Sequence, residues 1–325
     1  MAEVRTPELI ALIEAALGRH RHPPALPAHA CAAVDVELAA FWLLQAELLR
    51  LPAFGIQMLL RDLDRLDATA APAAGPPVRA AALAIDASRL PGHLALALAV
   101  RLAAQAVREQ GTAIVGIRHV GALGVLGCAV RSLASQGAVA LVSAHSAAIV
   151  APWGGTAAAI GTNPLAVAAP RADAAPLVID YATSPMTVAA LRQAGAAGSA
   201  LPAAAAVDRQ GRPTTDPAQA AALLPQGRIA SLTGLALELL TGVGVGGRRP
   251  AGDAAPERTA LLVAYAPEAM GQDAAAEQCA QLARDWHAAG GHVPGRFDTL
   301  PLRREQLPAA IAVDDAALAA LRGRC

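Results

Sequence analysis

Between Gly111 and Ile179 the chain breaks into apolar runs of three to five residues: Ala113–Ile117, Val139–Val142, Ala147–Val150, Leu165–Ala168 and Leu177–Ile179. Glycine, proline and polar residues separate them, and helical material interrupts them at Leu123–Gln136. Runs this short suit buried strands rather than helices. Strands alternating with helices predict an α/β fold. Helices are expected at Pro7–His20 with Thr6 as N-cap, at Pro27–Leu51, Gly55–Leu66, Leu94–Gln110, Ile229–Leu240 and Ala274–Ala289. Another is expected after Thr183, where Ala-Thr-Ser precedes an Ala-rich run, and Ala81–Ile85 and Ala260–Tyr265 are further apolar segments. Residues 203–217 read as a loop, and no internal repeat is visible.

A chain that is 55% apolar with a mean hydropathy of +0.41 calls for a membrane check. Gly, Pro and His145 break 137–170, and Arg101 and Gln105 break 94–107, so no spanning helix is expected. The first residues carry Glu3 and Arg5 with no apolar leader, which predicts a cytoplasmic protein. Basic and acidic residues balance at 26 each, leaving no field to attract nucleic acid or an acidic membrane. Every basic residue is arginine, which excludes Schiff-base chemistry on a lysine. Cys31, Cys128, Cys279 and Cys325 are scattered without metal-ligand spacing, so no metal is expected.

Thr241–Gly247 contains a formal G-x-G-x-x-G at Gly242, Gly244 and Gly247. A dinucleotide loop needs a strand before it and a helix after it. Here a helix-like run, Leu235–Leu240, precedes the glycines and Arg248-Arg249-Pro250 follows, which reads as a helix end and a loop. His119 is different. It closes a strand-like run and precedes Val120-Gly121-Ala122-Leu123 on the way into a helix. A strand end feeding such a turn is where ligands often meet backbone N–H groups. Asn163 stands before Pro164, which biases it towards an extended backbone.

Four blocks, G-I-R-H-V-G-A-L (116–123), A-P-W-G-G (151–155), G-T-N-P-L-A (161–166) and D-Y-A-T-S (180–184), together resemble the malate/L-lactate dehydrogenase-type NAD(P)-dependent oxidoreductases. That family includes ureidoglycolate and sulfolactate dehydrogenases and piperideine-2-carboxylate reductase. The resemblance continues at 201–202, 208–217, 223–227 and 293–296. It implies a non-Rossmann NAD(P)-binding α/β fold, with a helical N-terminal region onto which a C-terminal segment packs back. The implied parts are 1–75, the helical portion of a substrate domain; 76–247, a cofactor domain; and 258–325, which completes the first. The cofactor would be NADP or NAD, the partner a small-molecule substrate, and the assembly a homodimer. Cofactor contacts would fall on His119, Val120, Gly121, Ala122, Leu123, Thr162, Asn163, Asp180, Ala182, Thr183 and Arg228.

The chain departs from that family where the catalytic side chains are expected. Ala53-Phe54 stands in place of Ser-His, and Met58 in place of the arginine that holds the substrate carboxylate. A phenyl ring cannot act as an acid or base, nor can a thioether pair with a carboxylate. Ala190 occupies the position of an aspartate, Arg228 lies nearest a cofactor-binding lysine, and His145-Ser146 replaces Asn-Ser. Two readings follow. In the first, hydride transfer persists with altered substrate preference: Phe54 and Met58 make an apolar pocket, and His119, His145 or Asp180 handles the proton. In the second, redox chemistry is lost and the protein serves a non-redox or partner role.

Overall fold

The computed structural model describes residues 1–20, 34–68, 82–248 and 258–325. The expected helix start at Pro27 and most of the connectors 68–77 and 246–257 lie outside the described residues. The N-terminal elements are strand β1 (Ala2–Arg5) and helices α1 (Thr6–Gly18), α2 (Val36–Leu48) and α3 (Ile56–Ala68). Strand β2 (Leu83–Asp86), helix α4 (Gly92–Gln110), strand β3 (Thr112–Val120) and helix α5 (Leu126–Ala134) come next. Strands β4 (Val139–His145), β5 (Leu165–Ala169) and β6 (Leu177–Tyr181) precede helix α6 (Val188–Ala197). Three two-residue strands, β7 (Ala206–Val207), β8 (Pro213–Thr214) and β9 (Ala222–Leu223), lead to helix α7 (Gly227–Glu238). Strand β10 (Arg258–Tyr265), helix α8 (Ala275–Ala288), strand β11 (Ala310–Val313) and helix α9 (Asp315–Arg322) complete the chain.

Two compact units share these elements: Met1–Val142 with Ala166–Asp180 and Leu262–Cys325, and Ser143–Leu165 with Tyr181–Leu261. Each passage between them falls inside a strand: β4, β5, β6 or β10. Among the described residues the largest sheet has six strands in the order β2-β3-β10-β4-β5-β6, with β2 and β3 parallel. Helix α4 packs on β3 and on α2 and is buried without interruption from Gly92 to Val100, as the unbroken apolar run Leu94–Val100 requires. The C-terminal segment returns to the N-terminus: β11 pairs antiparallel with β1, Ala2 opposite Val313, and α9 packs on α1 and α3.

In the second unit β7 lies between β8 and β9 in an antiparallel sheet. Its core gathers Val150, Ile160, Met186, Leu201, Ala206 and Leu223. The expected strand at Ala147–Val150 is reduced to single bridges from Val150 to Ile160 and Leu223, while the expected loop 203–217 contains β7 and β8. Helix α7 runs into a π turn, Leu239–Val243, that contains Gly242. The glycine cluster therefore follows a helix, as its sequence context indicated.

Helix starts are where local sequence misleads. Thr6 is the first residue of α1 rather than its cap, because its hydroxyl donates to the Pro308 carbonyl beside the β1–β11 pair. Thr187, not Thr183, caps α6, accepting from the Ala190 N–H at 3.1 Å. Three other helices begin on carboxylates brought from elsewhere. Glu47 accepts from Ile56 N (2.8 Å) at α3, Asp62 from Gly92 N (2.6 Å) at α4, and Asp180 from Gly127 N (2.8 Å) at α5. Each satisfies an N–H that the helix cannot, and places negative charge at the positive end of the dipole. Gly55 is needed for the first of these: a Cβ there would lie 2.3 Å from Glu47 Oε1. Burial pushes the Glu47 and Asp180 carboxyls up, against the pull of the N–H groups they hold.

Candidate active site

Strands β2 and β3 end side by side, with Asp86 opposite Arg118 in register. The carboxyl ends of parallel strands are where α/β sheets place their ligands. Past β2 the chain turns, and Asp86 Oδ1 accepts from the Ser88 N–H at 3.0 Å. At the end of β3, His119 adopts φ +53°, a left-handed conformation rarely taken by a residue with a side chain. Strain of this kind clusters at functional sites. Its Nδ1 lies 3.3 Å from Asp86 Oδ2, and both side chains keep part of their surface, 43% and 30%. Burial pushes the Asp86 carboxyl up, but the Ser88 hydroxyl and N–H and the neighbouring His119 outweigh it, and the net shift is down. Asp86 is thus an ionised anchor for an accessible imidazole, an arrangement suited to proton transfer.

The turn after His119 is closely packed. Val120 and Leu123 are buried, so only their backbone groups can face a ligand. Gly121 lies against Asp62: a Cβ would fall 1.6 Å from its Oδ1, and no other residue fits there. Asp62 itself is buried, accepts from Arg65 Nε at 2.7 Å and holds the first N–H of α4. Sequence reasoning passed over it, although a signal existed. Asp62 lies on the helical stripe of Ile56, Leu59 and Leu63, where an exposed acid would not be placed.

Other expected residues fall differently. Met58 is 3% exposed and belongs to the core, which removes it from an open substrate pocket, whereas Phe54 is half-buried. The segment around Phe54 does have an imidazole close by. His93, the second residue of α4, and the Phe54 carbonyl both flank the α-carbon of Gly124. Burial pushes His93 down to about 3, so it is neutral at physiological pH. Asp180 is engaged as the cap of α5 and not as a free base.

In the second unit His145 is buried at the end of β4, a poor position for exchanging protons with a substrate. Its Nε2 is 3.5 Å from Glu238 Oε1 and its Nδ1 is 3.4 Å from the Thr259 hydroxyl. Burial pushes it down, with Glu238 opposing. Glu238, unflagged by sequence, also accepts from Asn163 Nδ2 at 2.8 Å and faces Arg248 Nε at 3.3 Å. Asn163 is fully buried with φ +33°, not extended as Pro164 suggested. Its bonds to Glu238 and to the Gly234 carbonyl outweigh the proline bias, and asparagine tolerates this region. Thr183 donates its hydroxyl (2.9 Å) and N–H (3.1 Å) to the Thr162 carbonyl, beside the half-buried Ala182. Arg228 is exposed in the first turn of α7, where N–H groups and a guanidinium together suit a phosphate. Among the described residues no cluster has the make-up of a metal site, Cys128, Cys279 and Cys325 are free thiols, and no helix is long and apolar enough to cross a membrane.

Comparison with known proteins gives a consistent answer. The sequence profile described as malate/L-lactate dehydrogenase matches residues 22–322. A (2R)-3-sulfolactate dehydrogenase (NADP(+)) from Chromohalobacter salexigens is 39% identical over 168 residues, 50% of each chain. A Δ1-pyrroline-2-carboxylate/Δ1-piperideine-2-carboxylate reductase from Pseudomonas syringae pv. tomato is 34% identical over 225 residues, 66% of each. The chain thus spans about half to two thirds of the length of these curated relatives. The crystal structure of Δ1-piperideine-2-carboxylate reductase from the same pathovar superposes with a TM-score of 0.81 at 29% identity, over 100% of both chains. An α/β fold of this topology, a matching profile along nearly the whole chain and a close structural counterpart make the protein a member of the malate/L-lactate dehydrogenase family.

Proposed function

We propose that the protein is an NAD(P)-dependent oxidoreductase that transfers hydride between the cofactor and a small 2-oxo/2-hydroxy acid or cyclic imine. The observation that carries this reading is the Asp86–His119 pair at the carboxyl ends of two parallel strands. The relatives support it: the sulfolactate dehydrogenase is named for NADP, a ureidoglycolate dehydrogenase from Escherichia coli for NAD, and the Pseudomonas enzyme for a cyclic imine. The donor set suits a nucleotide, since Arg228 and the first turn of α7 offer charge and N–H groups to a phosphate. When bound, the cofactor supplies the hydride. His119 gives its proton to the carbonyl oxygen or imine nitrogen in reduction and takes it back in oxidation. Asp86 holds Nδ1 and leaves Nε2 as the exchanging nitrogen.

Calorimetric titration with NADPH, NADH and the oxidised forms tests this reading. Binding of one nicotinamide cofactor with a dissociation constant on the order of micromolar, about −8 kcal/mol, is the expected result. No heat at millimolar cofactor would put the protein in the non-redox class instead.

The protein also acts as a homodimer in this reading. Ile229, Leu232, Leu235, Leu239 and Val243 recur every three or four positions along α7 and its π turn, and all are exposed. A stripe of this kind marks an interaction face, and symmetric pairing is the commonest way to cover one. Sedimentation is expected to return twice the 32.7 kDa chain mass, and a monomer at micromolar concentration would refute the pairing. Free thiols and the need for a nicotinamide pool favour a cytoplasmic site of action.

A further inference from the structure

The turn that follows His119 is keyed to the start of α4 by close approaches at three glycines. A Cβ on Gly121 would lie 1.6 Å from Asp62 Oδ1, one on Gly92 2.1 Å from the Ala122 carbonyl oxygen, and one on Gly124 2.6 Å from His93 Nε2. Neither Gly92 nor Gly121 takes a left-handed backbone, so room for the neighbour, not conformation, requires glycine at both. The Asp62 carboxylate stands at the centre of this contact. Its Oδ1 accepts from Arg65 Nε at 2.7 Å and its Oδ2 from the Gly92 N–H at 2.6 Å, so both oxygens are held in place. Capping α4 does not by itself call for this residue. A Ser, Thr or Asp at the N-cap would supply an acceptor locally, yet Pro91 stands there and the acceptor comes from α3, 30 positions away.

The backbone of His119 shows what such a contact achieves. A left-handed residue with a side chain persists only where its surroundings over-determine it, and φ at His119 is +53°. Upstream, β3 is held by its pairing with β2, and the Arg118 carbonyl accepts from the Ala87 N–H at 2.9 Å. Downstream, Gly121 abuts Asp62. His119 is therefore clamped between a strand and a carboxylate, and the direction in which its imidazole leaves the backbone depends on both. With Nδ1 at Asp86, a shift of the turn moves Nε2, the nitrogen that exchanges the proton. A misplacement of about 1 Å can slow a reaction by about 10²-fold with every reacting group still present.

We propose that Asp62 is a positioning residue for His119: through Gly121 it fixes the turn that presents Nε2 to the substrate. The inference rests on the hydride-transfer reading for the reaction, but the positioning can also be followed without turnover. Single-turnover reduction of Δ1-piperideine-2-carboxylate by NADPH in the full-length protein, well below its melting temperature, gives the rate of the step. Asp62→Ala is expected to lower that rate by about 10–100-fold while the half-saturating substrate concentration changes by less than about threefold. Asp62→Asn keeps the shape and an acceptor for the Gly92 N–H, and is expected to stay within about threefold of the native rate. In a His119→Asn background, Asp62→Ala should change the rate by less than about threefold, because the group it positions is gone. A carboxylate that only stabilised the fold would slow both backgrounds alike.

Gly121→Ala reads the same contact from the other side. Its Cβ meets Asp62 Oδ1, so it is expected to slow the step on its own and to cost little more once Asp62 is alanine. Measured in the native and His119→Asn backgrounds, it decides the question where Asp62→Ala does not fold. Without turnover, the His119 imidazole is followed by nitrogen NMR, its signals assigned by their loss in His119→Asn. Asp62→Ala, or Gly121→Ala in its place, is expected to shift or split them. A rate within about threefold of native, equal slowing in both backgrounds, or unchanged His119 signals overturns the proposal. If the signals respond to Asp62 but no nicotinamide cofactor binds, the positioning of His119 stands and the hydride-transfer reading fails.

Discussion

Replacing His119 by asparagine is expected to lower the rate of the hydride-transfer step by about 10²–10⁴-fold, the usual contribution of a positioned general acid or base. Asparagine is the informative choice because it accepts the left-handed backbone at this position, φ +53°, so the turn can persist while the proton donor is lost. Single-turnover reduction of Δ1-piperideine-2-carboxylate or a 2-oxo acid isolates the step. Cofactor affinity should change little if the imidazole serves chemistry and not binding. A rate within threefold of the native one would remove His119 from the mechanism. Asp86→Asn separates orientation from chemistry. The Asp86 carboxyl is held below its ordinary value by Ser88 and the neighbouring His119, so it is the ionised form that faces the imidazole. Removing the Asp86 carboxylate is expected to slow the same step, because the imidazole loses the partner that orients it. An unchanged rate would mean that the 3.3 Å contact has no part in proton transfer.

The largest stability effect is expected at Asp62. The carboxylate is buried with Arg65, the side chains keeping 4% and 10% of their surface, and it also holds the first N–H of α4. Asp62→Ala breaks a buried pair from one side, which typically costs about 3–5 kcal/mol. Arg65 retains a longer contact to the Leu90 carbonyl (3.4 Å), so the lower end, about 3 kcal/mol, is the expected value. In a chain of 325 residues that corresponds to a fall in melting temperature of about 4–5 °C. Asp62→Asn keeps an acceptor for the Gly92 N–H and should cost less. Combining Asp62→Leu with Arg65→Met should recover part of the loss, because well-packed apolar residues often replace a buried ion pair without penalty. Equal melting of native protein and Asp62→Ala would show that the carboxylate has no part in fixing α4. The mechanism should feel this change too, since Asp62 packs against Gly121, two residues from His119.

The α/β class, most helices and the family were legible in the chain because they rest on local patterns. Four of the five short apolar runs became strands, and the helix expected at Leu94–Gln110 is α4. The site was only half legible. His119 stood out by its position at a strand end, but its partner did not, because Asp86 lies 33 residues away and meets it only through the β2–β3 register. His145 and Asp180 are acid–base residues by type, yet one is buried against Glu238 and the other holds a helix end. Met58 is apolar in sequence whether it lines a pocket or fills a core, and only its burial decides for the core.

Local propensity and hydrophobic spacing therefore determined from sequence alone most helices and the longer strands, and which blocks tied the chain to its family. Only the tertiary structure decided what the ionisable residues do. Glu47, Asp62 and Asp180 reach helix N-termini 9, 30 and 53 positions away. The reason is physical: backbone preference acts over a few residues, whereas the state of a charge depends on every dipole and ion that folding brings beside it, and on how much water folding removes.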